Sequence, residues 1–292
     1  MFLKSTLLLL FFVSLLNAKS LLYKIDSKSN SIYILGSIHL AKQELYPLDS
    51  AIEKAYRESD YLVVEVDAET PKAQMEMQKT MLKLGIYQNN KSLKTELNPK
   101  TYKQLKDYTT KAGISLEILH QMRPWVVMLQ LSIVEMLRLG YSPELGIDKH
   151  FLDMARVDKK SIKTLESLQE QMALLSKDDK VYQDKLLRYT IESMSEMEPM
   201  LESLFISWEK GDAKAIEKML LLSMKDSINT DGYLGEIFDA LITKRNKSMS
   251  KKIISYLKDD KDYFIVVGAG HVVGKDGIIN ILKKRGYKAV QK

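Results

Sequence analysis

The sequence predicts an α/β protein: a mixed, mostly parallel sheet built from both chain ends, with a long, mainly helical middle. Three observations carry this. The chain opens with a β–α–β pattern after a short leader, it closes with another, and residues from about Lys72 to Ser255 space their apolar side chains as helices do.

The leader comes first. Lys4 supplies a positive start, Leu7 to Leu16 an apolar run, and Asn17-Ala18 a small residue for cleavage. This is the pattern of a secretory signal peptide, and the run is shorter than the roughly 20 apolar residues that span a bilayer. Residues 1–18 are read as signal peptide and 19–292 as one domain, since no stretch rich in Pro, Gly or Ser divides it. The expected location is periplasmic or secreted.

Residues 21–35 read as two short strands around a polar turn at Asp26–Asn30, the second running into Gly36-Ser37-Ile38-His39. Residues 48–59 form a helix with Ala51, Ile52, Ala55 and Tyr56 on one face, and Tyr61–Val66 a buried strand. In the middle, Pro124 opens a helix covering Trp125 to Leu139, apolar nearly all round and expected to be buried. Gln130, Ser132, Glu135 and Arg138 argue against its crossing a membrane. Gly146-Ile147-Asp148 opens another helix through Arg156, Lys160–Leu165 is a strand, and Ser167 to Glu170 spells a capping box. The close is a strand at Tyr263–Val267, a glycine-rich loop at Gly268–Lys275, a helix at Asp276–Lys284 and a strand at Tyr287–Val290.

Composition excludes several functions. Without cysteine there is no lipoprotein anchor, disulfide or thiolate zinc site. The net charge of +6 is spread along the chain, and no Lys/Arg run is interleaved with aromatics, so nucleic acid is not an expected partner. A basic surface permits at most peripheral contact with an anionic membrane. Of the fifteen methionines, Met194, Met197, Met200, Met219 and Met224 fall on the middle helices, where they fill a core or line an adaptable peptide groove.

The chemistry gathers around two of the four histidines. Gly36-Ser37-Ile38-His39 and Gly268-Ala269-Gly270-His271 share the spelling Gly-x-x-His, and each follows an apolar strand. Ligands of parallel sheets collect beyond the carboxyl ends of strands, so His39 and His271 are expected to meet, whereas His120 and His150 lie on helical stretches away from them. Glu65 and Asp67 follow a strand and, by alternation, point the same way. Glu166 holds the corresponding place after KSIKTL, where it either joins a site or simply favours a helix N-terminus. Two imidazoles with these carboxylates suit a divalent metal that activates water; they suit equally a metal-free His base oriented by Glu. The closing Gly268, Gly270 and Gly274 have the wrong spacing for a dinucleotide loop, and no acidic ribose partner comes after them.

These segments resemble the TraB/GumN family. Ile34-Leu35-Gly36-Ser37-Ile38-His39 with Tyr46-Pro47-Leu48 is similar to its opening motif, as are Val64-Glu65-Val66-Asp67, Gly146-Ile147-Asp148 with Phe151-Leu152, and Leu165-Glu166 with Gln169 and Gln171. Arg245-Asn246 with Met249, and Val267-Gly268-Ala269-Gly270-His271 with Gly274, continue the order. The family is similar to the Tiki proteins, membrane-tethered metalloproteases that clip secreted signals, and more distantly to erythromycin esterases and ChaN haem-uptake proteins; TraB itself is tied to shutting down a peptide pheromone. The resemblance implies His39, Glu65 and His271 as site residues, with Glu166 and Arg245 beside them. The leading expectation is a metal-dependent, peptidase-like hydrolase. His39, Glu65 and His271 would hold a divalent ion (zinc, manganese or cobalt), with Glu65, Glu166 and Arg245 as catalytic groups. The alternatives are a metal-independent esterase and a non-catalytic protein that sequesters a peptide or small ligand.

Overall fold

The computed structural model describes residues 20–222, 235–236 and 238–292. The leader, Lys19 and Met224 lie outside the described residues.

Strands β1 (Leu22–Asp26) and β2 (Ser31–Ser37) form an antiparallel hairpin around the polar turn. Helix α1 (Ser50–Glu58), capped by the Asp49 carboxylate on the Ala51 N–H, leads to β3 (Tyr61–Val64). A first helical insertion comes next: α2 (Pro71–Leu84), α3 (Leu93–Glu96), α4 (Pro99–Lys111), α5 (Leu116–Leu119) and α6 (Pro124–Arg138). Helix α7 (Ile147–Val157) returns the chain to the sheet as β4 (Ser161–Thr164). The second insertion comprises α8 (Leu168–Leu175), α9 (Lys180–Ser193), α10 (Met197–Glu209) and α11 (Ala213–Glu217). A π-helical stretch at Asp239–Lys244 runs into α12 (Arg245–Tyr256), followed by β5 (Tyr263–Gly268), the short α13 (Ala269–Val272), α14 (Ile278–Lys284) and β6 (Ala289–Gln291).

The six strands lie in the order β4-β3-β5-β2-β1-β6. The pairs β4/β3, β3/β5 and β5/β2 are parallel, and β1 runs antiparallel to both β2 and β6. The sheet is thus mixed and mostly parallel, with β5 from the chain's end inserted between β2 and β3 from its beginning. All six residues of β5 are buried, as the near-continuous apolar run YFIVVG requires of a central parallel strand. The main core packs on this sheet; two smaller apolar clusters gather around α6 and the helices beside it.

Several expectations shift in detail. Strand β3 stops at Val64, so strand alternation does not extend to Glu65 and Asp67. Glu65 turns inward, while Asp67 is drawn to Arg156 on α7 at 2.7 Å. Helix α6 is buried only in its first half: Trp125, Val126, Val127 and Leu131 pack into the two helical clusters, whereas Ile133, Val134 and Leu137 are exposed. The loop after β5 contains a helical turn that carries His271. Met194 is buried and Met197 and Met219 pack against apolar clusters, but Met200 is exposed. Among the described residues, no helix is long and apolar enough to cross a membrane.

Candidate functional site

The four strands β2, β5, β3 and β4 are neighbours and point the same way, so their carboxyl ends form one edge. His39 follows β2, His271 follows β5, Glu65 follows β3 and Glu166 follows β4. The ladder between β3 and β4 continues one step past both strands: Glu166 N–H donates to the Glu65 carbonyl at 2.9 Å. In the parallel register Ser37 lies opposite Gly268, which sets the two Gly-x-x-His segments side by side, one residue out of step.

Gly268 marks the centre. A Cβ placed on it would stand 3.3 Å from Glu65 Oε1, 3.4 Å from His39 Nε2 and 3.7 Å from His271 Cδ2. The two imidazoles therefore approach within about 7 Å at those atoms, as the matching strand ends predict. His120 caps α5, and His150 packs between Tyr46 and Phe151; neither joins the cluster.

Each of the two histidines has its Nδ1 held by an oxygen. His39 Nδ1 lies 2.8 Å from Asp148 Oδ2, and the Ser37 hydroxyl donates to the other oxygen of Asp148 at 2.9 Å. His271 Nδ1 lies 2.7 Å from Asn246 Oδ1, whose Nδ2 donates to the Asp276 carbonyl at 2.8 Å. Gly146, just before α7, lets this happen on the His39 side: a Cβ there would collide with the His39 carbonyl.

Glu65 is buried and well partnered. Its Oε1 accepts from the Gly268 N–H at 2.7 Å, and its Oε2 accepts from Arg245 at 2.5 Å and from Gln171 Nε2 at 3.2 Å. Arg245, from the first turn of α12, also donates Nε and Nη2 to Glu166 at 2.7–3.0 Å, while its Nη1 donates to the Leu241 carbonyl in the π-helical stretch. Gln171 Nε2 bridges both glutamates, reaching Glu166 at 3.0 Å. One guanidinium thus serves two buried carboxylates and leaves an excess of negative charge.

Burial pushes the Glu65 carboxyl up, but His271, His39, Arg245 and the Gly268 N–H pull it well below the usual carboxylate range. His271 is itself uncharged at neutral pH, so the cationic share of that pull comes from His39 and Arg245. Burial drives the His271 imidazole down to about 4, against the attraction of Glu65. Asp148 holds the His39 imidazole above its ordinary range, and the exposure of that side chain, 60%, lets water screen part of the attraction.

The profile of the TraB/PrgY/gumN family matches residues 21–291. The chain belongs to this family. It is similar to the uncharacterized protein YbaP of Escherichia coli K12, at 23% identity over 86% of this chain and 87% of that one. It is also similar to an uncharacterized protein of Treponema pallidum, at 20% over 90% and 80% of the two chains. A shorter stretch, 16% of this chain, is 47% identical to one tenth of the Metalloprotease TIKI homolog of Nematostella vectensis. No solved structure matches.

The donor set suits a divalent cation. Two imidazoles present Nε2 with Nδ1 held from behind, as metal-bound histidines are held, and a buried carboxylate stands between them in a region of excess negative charge. Among the described residues no three such side chains already stand at ligating distance of one point. Arg245 and Gly268 hold Glu65 back, with its Oε1 3.8 Å from His271 Nε2. Strand-end spacing and the family resemblance named His39, Glu65, Glu166, Arg245 and His271 as site residues; Ser37, Asp148, Gln171 and Asn246 stood in the family-like segments but were given no site role. The signal for Asp148 and Asn246 was their place in those segments, together with the need of each imidazole for an oxygen behind it.

Proposed function

We propose that this chain is an exported hydrolase of peptide bonds that works with a divalent metal ion. The observation that carries this is the convergence of two back-supported imidazoles on one buried carboxylate at a parallel sheet's carboxyl edge. The short likeness to a protein named as a metalloprotease supports it, and the leader of residues 1–18 supports export to the periplasm or beyond.

His39, His271 and Glu65 would hold the ion. When bound, it supplies a Lewis acid for the scissile carbonyl and an acidified water. The protein's own groups do the rest. Asp148 and Asn246 keep the imidazoles aimed. Both Glu166 oxygens accept from Arg245, so Glu166 anchors that side chain and is not free as a base. Arg245 balances the two carboxylates and brings positive charge to the edge where an oxyanion would develop.

The His39–Asp148–Ser37 chain favours a second reading, a metal-free hydrolase in which His39 is the acid–base and Asp148 orients it. A peptide-library cleavage assay on purified mature protein, with elemental analysis and a chelator arm, separates the two. We expect a stoichiometric transition metal and cleavage that chelator stops and zinc, manganese or cobalt restores. Cleavage that survives in metal-free protein overturns the metal; saturable peptide binding without product overturns the hydrolase.

A further inference from the structure

Arg245 and Asn246 are consecutive in the first turn of α12, yet they serve different partners: Arg245 the two glutamates, Asn246 the ring of His271. Asn246 is fully buried. An amide can be turned either way, but here its surroundings decide. The Asp276 carbonyl can only accept, so the group 2.8 Å from it must be Nδ2. Turning the amide over would set two oxygens against each other. Oδ1 is therefore the atom 2.7 Å from His271 Nδ1, and an oxygen there demands that Nδ1 carry the proton.

We propose that Asn246 is a positioning residue: the relay from the Asp276 carbonyl through the Asn246 amide fixes His271 as its Nδ1–H tautomer and leaves Nε2 as a lone pair facing Glu65. The 3.8 Å between Nε2 and Glu65 Oε1 agrees, being too long for a hydrogen bond from an Nε2–H. Two acceptors then face one another across that gap, an arrangement that recruits a cation or a water proton. Asp148 does the matching work for His39 with a full charge and an open ring; Asn246 does it with a neutral amide in the core, so His271 is oriented without being charged. The tautomer stands on the hydrogen-bond geometry alone, and only the use of the lone pair rests on the metal-hydrolase reading.

The test is nitrogen-15 NMR of the histidine rings in the full, metal-free protein at pH 7, with His271 assigned by its loss in His271→Gln. We expect the Nδ1–H pattern for His271 in the wild-type protein. An Nε2–H pattern, or averaging between the two, would overturn the proposal without any Asn246 variant having to fold. Asn246→Ala, which removes the oxygen from behind the ring, should lose the Nδ1–H form. An alanine variant that kept it would show that Asn246 only fills space. Zinc titration calorimetry reads the underlying hypothesis separately. If His271 binds metal, Asn246→Ala weakens zinc by about 10–100-fold. Zinc binding equal to wild type in a variant that has lost the tautomer overturns the metal reading and leaves the tautomer assignment standing.

Discussion

Glu65 takes hydrogen bonds from a backbone N–H, a guanidinium and an amide, and this settles what its replacement does. In Glu65→Gln one end of the new amide must be NH2, so a donor faces either Gly268 N–H or Arg245. We expect a loss of about 1–3 kcal/mol in urea unfolding, with turnover down on the order of a hundredfold or more. An unpaired buried acid would have given the opposite sign, a variant more stable than wild type, and the Arg245 contact removes that case. A folded variant with full activity would remove Glu65 from the chemistry. At this scale the sequence was informative about which residues meet and silent about how they are held. Paired Gly-x-x-His spellings at strand ends brought His39 and His271 together. Asp67, which alternation coupled to Glu65, went to Arg156 because the strand had already ended.

At the scale of elements, the turn after β5 leaves room at the site by lacking one side chain. Gly268 has φ −50° and ψ 139°, a conformation open to any residue, so Gly268→Ala does not strain the backbone. Its methyl would press on Glu65 Oε1 at 3.3 Å and fill the space against His39 and His271, at 3.4 and 3.7 Å. We expect a stability cost of about 1 kcal/mol and turnover reduced about a hundredfold by displacement of the reacting groups. Near-normal cleavage by the alanine variant would place the chemistry elsewhere. Most elements were legible from periodicity and capping, and the Ser167–Glu170 box forms as spelled, with Glu170 reaching back to the Ser167 N–H. The full burial expected of α6 failed because periodicity reports an apolar surface and not what covers it. Its second half projects Ile133, Val134 and Leu137 beyond the clusters that bury Trp125 and Leu131.

For the whole molecule, the two site histidines bend stability in opposite directions with pH. His271 stays neutral in the fold down to about 4, while an unfolded imidazole takes up a proton near 6.5, so the unfolded state binds more protons between those values. Stability from this group is full above 6.5 and lost as pH falls through 4, by up to about 3 kcal/mol. His39 is raised, so its smaller, water-screened contribution is full below 6.5 and lost as pH rises through its folded value. Thermal unfolding of chelator-treated protein should peak near neutral pH, and His271→Gln should flatten the acid side. An acid side unchanged by that substitution would mean that His271 protonates in the fold as readily as outside it.

The insertion of β5 between β2 and β3 also sets a timetable. Those two strands share no edge of their own; only β5 joins them. Until Tyr263 and the residues after it have arrived, His39 and Glu65 belong to separate pieces of chain, and His271 does not yet exist. If the chain is the hydrolase proposed above, a polypeptide made from its N-terminus holds no complete site until nearly all of it has been made. On the proposed hydrolase reading, β5 works as a safety catch, because the site closes only once this late strand is in place.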